Sequence, residues 1–173
     1  SSSRGLGDVY KRQGHWGSGM SRPQYPLRGD NDLNPAMKLP KFSKPAAVLV
    51  PLIRHKRGMT VLLTKRAGHL KDHAGQISFP GGRVETSDLT REDAALRETK
   101  EEINLNRDKI EVIGRLDTYI TRTGFEVTPI VAFVKPPMNL KPNPREVSNI
   151  FEIPLSFLMD NINHQRTRRY VCG

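Results

Sequence analysis

Leu62–Gly82 reads LLTKRAGHLKDHAGQISFPGG, and fifteen residues after Gly82 the cluster Arg97–Glu102 reads RETKEE. The first stretch runs from apolar residues into a polar, glycine-bearing loop and ends in Pro80-Gly81-Gly82, a break in regular structure. The second sets three carboxylates within about one helical turn, where each pair costs tenths of a kcal/mol. A divalent cation reverses that sign, since Mg²⁺ takes oxygen ligands and commonly uses one or two carboxylates plus substrate phosphates. A glycine turn followed by stacked acids is therefore a way to hold metal against a diphosphate. Taken alone, RExxEE also fits a solvated helix whose Arg97 and Lys100 pair with the glutamates.

Working outward, Ala46–Ile53 (AAVLVPLI) is an apolar run of strand length, and Met59–Thr64 (MTVLLT) follows a basic turn, so the two pair as a hairpin. Ala67–Phe79 reads as a loop with a short strand near Ile77–Phe79. Thr90 caps a helix, with Asp93 three residues on as a shortened capping-box acid, and the helix runs to about Ile103, where Asn104 takes a left-handed cap. Ala95, Leu96, Thr99 and Ile103 share the core-facing arc, and Glu98, Glu101 and Glu102 are expected on the opposite one. Arg97 lies four residues before Glu101 and four after Asp93, so an Asp93–Arg97–Glu101 ion-pair line is expected on that face. Glu111–Thr121 and Phe125–Val134 are β-rich and joined by Arg122-Thr123-Gly124 as a second hairpin. Lys135–Arg145 is a proline-rich connection, Glu146–Ile153 is strand-like, and Pro154–Met159 opens a helix with Pro in its first turn. The element order indicates an α/β fold with a mixed sheet.

The chain has 173 residues and a net charge of +10, with one cysteine, Cys172. Residues 1–45 carry eight Lys/Arg against three Asp/Glu, and 46–159 only three more basic than acidic residues, so the basicity sits in the ends. Nucleic acid is for that reason an unfavoured partner; Trp16 among scattered cations is a weak base-stacking element. No apolar run approaches membrane-spanning length. A lone cysteine forms no internal disulfide, which suits a reducing compartment; a cytoplasmic location is expected, with a mitochondrial one as the alternative. Residues 1–44, rich in Gly, Ser, Pro and Arg, read as a disordered tail, and 45–173 as the domain. Ser1–Gln13 (SSSRGLGDVYKRQ) looks like translated adapter sequence, so about 1–19 are expected to be non-native. A transit peptide is the competing reading, and the glycines oppose the helix it would need.

Gly82-x5-Asp88-x8-Arg97-Glu98-Thr99-Lys100-Glu101-Glu102-x-Asn104-Leu105 resembles the Nudix box. It departs in having Asp88 where the box has Glu, one extra residue before the arginine, and Asn104 in place of Gly. Leu62-Leu63-Thr64-x-Arg66-Ala67, Gly75 and Phe79-Pro80-Gly81-Gly82 resemble the signature of the coenzyme A-directed subgroup, with Lys71 replacing an arginine. The resemblance implies a Nudix-like mixed β-sheet sandwich with helices. It implies hydrolysis of the coenzyme A diphosphate to 3′,5′-ADP and 4′-phosphopantetheine, with Mg²⁺ or Mn²⁺ as cofactor and a CoA-like nucleotide as small-molecule partner. Carried over by position, Glu98 and Glu102 are metal ligands, Glu101 is a further ligand or base, and Arg97 orients the carboxylates. Gly81 and Gly82 let backbone approach the metal closely. Arg66 and Lys71 are candidates for the extra phosphate of CoA, with ordinary surface cations as the other reading.

Glu146, in REVSNIFEIPL, is a candidate general base from a later loop, or a surface acid at a strand end. His69 and His73, at i and i+4, form only a weak zinc pair without a third ligand. The alternative functions are Nudix hydrolysis of NADH, ADP-ribose or capped RNA, and a non-catalytic basic binding module. Nudix domains usually finish with a further strand and helix, and the polar Asp160–Gly173 lacks a helical stripe. The expectation is a domain without its C-terminal strand and helix, marginal as a monomer.

Overall fold

The computed structural model describes residues 28–33 and 43–164. Along the chain these form β1 (Arg28–Gly29), α1 (Asp30–Leu33), β2 (Lys44–His55), β3 (Gly58–Arg66), β4 (Ile77–Ser78) and β5 (Gly81–Arg83). Then follow α2 (Arg91–Ile103), β6 (Ile110–Arg115), β7 (Tyr119–Ile120), β8 (Phe125–Val134), β9 (Val147–Pro154) and α3 (Leu155–Met159). All nine described strands join one mixed sheet, which makes the domain α/β as expected.

β2 and β8 form its spine, paired in parallel from Lys44↔Phe125 to Ile53↔Val134. Both are apolar and β-branched on the core side: Leu49, Ile53, Ile130 and Ala132 are fully buried. The other edge of β2 is divided between two antiparallel partners, β5 at Ala46–Val48 and β3 at Leu52–His55. Pro51 sits in the gap between them. Leu49 still donates its N–H toward that edge, to the Pro80 carbonyl at 2.8 Å. Pro51, two residues on and facing the same edge, has no N–H to give, so a proline in a central strand leaves no donor orphaned.

α2 packs across β2 and β5. Thr90 is its N-cap in extended conformation, accepting the Asp93 N–H at 3.0 Å, and Asn104 closes it at φ 58°, its N–H reaching the Lys100 carbonyl at 3.0 Å. Ala94, Ala95, Leu96, Thr99 and Ile103 are buried against the sheet. Each fully buried Leu or Ile of this core is worth about 1.5–3 kcal/mol of transfer free energy.

Several expectations are corrected. Pro80-Gly81-Gly82 does not break the sheet: Gly81–Arg83 is a strand, because pairing with β2 uses backbone alone and is indifferent to the missing side chains. The expected Glu111–Thr121 strand is two strands, interrupted opposite Pro129, with a register shift between Val112 and Gly114. β9 begins at Val147, leaving Glu146 in the preceding loop, and Pro154 is the N-cap of α3, not part of its first turn. Arg28–Leu33, within the stretch read as a disordered tail, are instead tied to the sheet. Asp30 accepts the Tyr119 hydroxyl and the Arg122 N–H, and burial together with that carboxylate pushes the Tyr119 phenol up to about 12. Ser1–Gln13, Trp16 and Cys172 lie outside the described residues. Among the described residues no helix is long and apolar enough to cross a membrane.

Candidate functional site

The bend before β5 lies directly over the acidic helix. Gly81 has φ 149°, open to glycine, and a Cβ there would collide with the Ala47 carbonyl and approach Val48 Cα to 2.6 Å. Its N–H donates to Glu102 Oε2 at 3.1 Å. Gly82 is required for a different reason: a Cβ would stand 2.5 Å from the Glu98 carboxyl carbon. The double glycine thus lets two carboxylates press against the backbone of the bend.

The three acids are not equivalent, and the expected arrangement on one outward arc is wrong. Glu102 is only 5% exposed, on the sheet side of α2 beside Ala95 and Thr99. A step of 100° per residue brings position 102 back to the arc of position 95. Glu98 is half-buried at the edge, and Glu101 is turned outward. Burial is the main cause that pushes the Glu102 carboxyl up to about 7, reinforced by Glu98 and Glu146 and opposed by the Gly81 N–H and Arg66. Burial also raises Glu98, with Arg97 opposing and Glu101 and Glu146 adding.

Glu146 therefore belongs to the cluster. Its loop runs between α2 and the end of β3, with the Glu146 carbonyl accepting the Ala67 N–H at 2.8 Å. Arg66 ends β3 at a bulge against β9. Its charge acts on Glu102, and its buried Nε has no hydrogen-bond partner among the described residues. Lys71 is exposed on the loop between β3 and β4, and no contact ties it to the acids among the described residues. His69 bonds the Arg145 carbonyl at 3.2 Å and His73 bonds Gln76 at 3.0 Å, so the two face different partners and form no zinc pair.

Arg97 is the hub on the other side of the helix. Its guanidinium makes a two-pronged bond to Asp88, at 3.0 and 2.9 Å, and reaches the Arg83 carbonyl at 3.0 Å, Glu98 at 3.1 Å and Glu101 at 3.4 Å. The hydrogen bonds from Arg97 hold the Asp88 carboxyl below its ordinary value despite burial, and those to Asp88 raise the Arg97 guanidinium in turn. Asp88 also accepts the Glu85 N–H at 2.8 Å. The shorter acid and the extra residue before the arginine thus coexist with a complete clamp. Asp93 takes no part in the expected ion-pair line, because it is held by the Thr90 hydroxyl at 2.8 Å.

These donors fit a hard divalent cation. All are oxygens, Glu98 and Glu146 both raise the Glu102 carboxyl, and only the Gly81 N–H and Arg66 oppose them there. Among the described residues no three such side chains form a closed cage as they stand. Water and phosphate oxygens are what Mg²⁺ ordinarily keeps alongside few carboxylates. A separate groove lined by Leu62, Leu140, Pro142, Ile150 and Phe151, with Asn149 and Glu152, contains none of these acids.

Sequence reasoning gave Asp88 no functional role and missed Asn143, which bridges α2 to the Glu146 loop. Its turn bonds to Arg145, Glu146 and Val147 are local, but the bond that ties it to α2, from the Asn143 N–H to the Glu102 carbonyl, has no local spacing to reveal it.

The family model described as NUDIX domain matches residues 43–171. The chain is 43% identical over 122 residues to the "Uncharacterized Nudix hydrolase NudL" of Photorhabdus laumondii, covering 70% of this chain and 65% of that protein. It is 45% identical over 111 residues to the protein of the same description from Citrobacter koseri, covering 64% and 57%. The chain thus spans about three-fifths of the length of these curated relatives. Among solved structures it resembles a Nudix hydrolase from M. smegmatis, RenU, with a TM-score of 0.57 at 23% identity over 66% of this chain and 73% of that one. The C. elegans Ap4A hydrolase binary complex matches with a TM-score of 0.56 at 23% identity, over 64% and 80%. The fold is the same, and the matched family model takes in both the bend and the acidic helix: the chain belongs to the NUDIX domain family.

Proposed function

We propose that this chain hydrolyses the diphosphate bond of coenzyme A or a CoA derivative, releasing 3′,5′-ADP and 4′-phosphopantetheine. The observation that carries the hydrolytic part is the packing of the Glu98 and Glu102 carboxylates against the Gly81-Gly82 bend, with the charges of Glu146 and Arg66 acting on Glu102. The coenzyme A part rests on the resemblance of Leu62–Gly82 to the subgroup signature.

Glu98 and Glu102 would hold Mg²⁺ or Mn²⁺, with Glu101 able to join by swinging from Arg97. When bound, the cation offsets charge on the diphosphate oxygens and lowers the pKa of water. Glu146 accepts the proton of the attacking water as its oxygen bonds to one phosphorus; the bond from that phosphorus to the bridging oxygen breaks, and the bridging oxygen leaves on the other phosphate. Arg97, fixed by Asp88, keeps Glu98 and Glu101 in orientation. Arg66, whose charge acts on Glu102, would offset phosphate charge, and Lys71 is left for the 3′-phosphate.

The test is turnover of CoA, dephospho-CoA, NADH and ADP-ribose with Mg²⁺ or Mn²⁺, with products identified. Preference for CoA and loss of turnover in Glu98→Gln and Glu102→Gln are expected. Equal or better turnover of the other diphosphates would end the coenzyme A assignment, metal-independent turnover the metal-ligand roles, and no turnover of any of them the hydrolytic one.

A further inference from the structure

We propose that Asn143 is a positioning residue that aims Glu146 at the acids of α2, an assignment that rests on the hydrolase reading above. The last carbonyls of an α-helix lack partners within the helix. In α2 the proline-rich connection supplies two of them: the Lys141 N–H reaches the Ile103 carbonyl at 3.0 Å, and the Asn143 N–H reaches that of Glu102 at 2.8 Å. Glu102 thus puts its carboxylate into the site while its carbonyl anchors Asn143.

From that anchor the chain turns toward Glu146. The Asn143 carbonyl accepts the N–H groups of Glu146 and Val147 at 3.0 and 2.8 Å, and its side-chain oxygen accepts the Arg145 N–H at 3.2 Å. Its amide Nδ2 donates to Glu146 Oε1 at 3.5 Å. With the Glu146 carbonyl pinned by Ala67, the backbone of Glu146 is held at both ends. The direction of its carboxylate is what remains free, and the Asn143 amide faces it. Asparagine meets both demands, closing the turn with Oδ1 while offering Nδ2 to the acid. Aspartate would close the turn equally but set a like charge against Glu146; alanine would do neither.

The experiment measures steady-state kinetics of the whole chain with Mn²⁺ and the best substrate of the panel above, alongside thermal melting. Asn143→Ala and Asn143→Asp are examined alone and combined with Glu146→Gln. Both single variants should lose about 10- to 100-fold in kcat with KM nearly unchanged, the scale of partners that orient a metal site indirectly. Neither should add a further loss once Glu146 is already Gln. Asn143→Asp keeps the turn, so it answers the question even where Asn143→Ala melts early. Full kcat in Asn143→Asp would assign the residue to the turn alone and overturn the proposal, as would losses that multiply with that of Glu146→Gln. A wild-type chain with no metal-dependent hydrolysis would instead overturn the hydrolase reading, and this assignment with it.

Discussion

The two flanks of α2 treat negative charge in opposite ways. On the Arg97 flank, Asp88 is only 4% exposed by its side chain, yet its carboxyl is held below its ordinary value because a guanidinium meets it with two hydrogen bonds. On the Glu102 flank, burial pushes the carboxyl up to about 7, and two other acids add to it while only one backbone N–H and a more remote arginine oppose it. Two things distinguish the flanks: Glu102 lies deeper in packed protein, and only Asp88 has a guanidinium bonded directly to it. A buried carboxylate short of partners costs stability, so a fold that retains Glu102 at a glycine bend, with Glu98 and Glu146 acting on it, has left room for a cation from outside.

The sharpest way to break that contrast is to remove an acid from the crowded flank. Glu146→Gln should lower kcat by about 10²- to 10⁴-fold, the range of a general base, in steady-state assays with metal. Gly81→Ala comes next. Its Cβ must displace the backbone of β2 while the residue keeps a positive φ, so chemical denaturation should show a loss of about 2–4 kcal/mol.

The third test moves stability the other way. Without metal at pH 8, Glu102→Gln should raise stability by about 1–3 kcal/mol, since a neutral amide still accepts the Gly81 N–H and no ion is buried. In the wild-type chain the same group sets a pH window. Its ordinary value is 4.5, and between 4.5 and about 7 the folded form keeps a proton that the unfolded form has lost. Metal-free melting temperature should therefore fall as pH rises through that window, and Glu102→Gln should flatten the slope. A rising slope would mean that the crowded flank is already compensated. The smallest effect is expected from Asp88→Asn, which weakens one well-supplied pair: a drop of about 3–6 °C in melting temperature, readable by calorimetry.

Much of this arrangement was legible before any coordinates. Thr90, Asn104, the hairpin of β2 and β3 and the turn at Arg122–Gly124 carry their instructions within a few residues, and each forms as read. Glu102 was misread because acids on a helix usually face water, whereas its angular position puts it with Ala95 and Thr99. The Gly81–Arg83 strand was missed for a similar reason: glycines weaken a strand taken alone, but here β2 supplies the pairing. The bond from Arg91 to Thr128 at 2.8 Å and that from the Asn143 N–H to the Glu102 carbonyl join residues far apart in sequence, and periodicity holds no record of them.

The divided edge of β2 has a consequence for how this chain tolerates length changes. Its first half aligns the metal-facing bend and its second half aligns β3, and the two are phased by only Leu49, Val50 and Pro51. Loops elsewhere can grow at small entropic cost. A single residue deleted from that three-residue spacer would invert inside and outside for one half relative to the other, turning either Ala47 and Leu49 or Ile53 out of the core. The spacer is thus a ruler, and its length should resist insertions and deletions more firmly than the identity of any of its residues resists substitution.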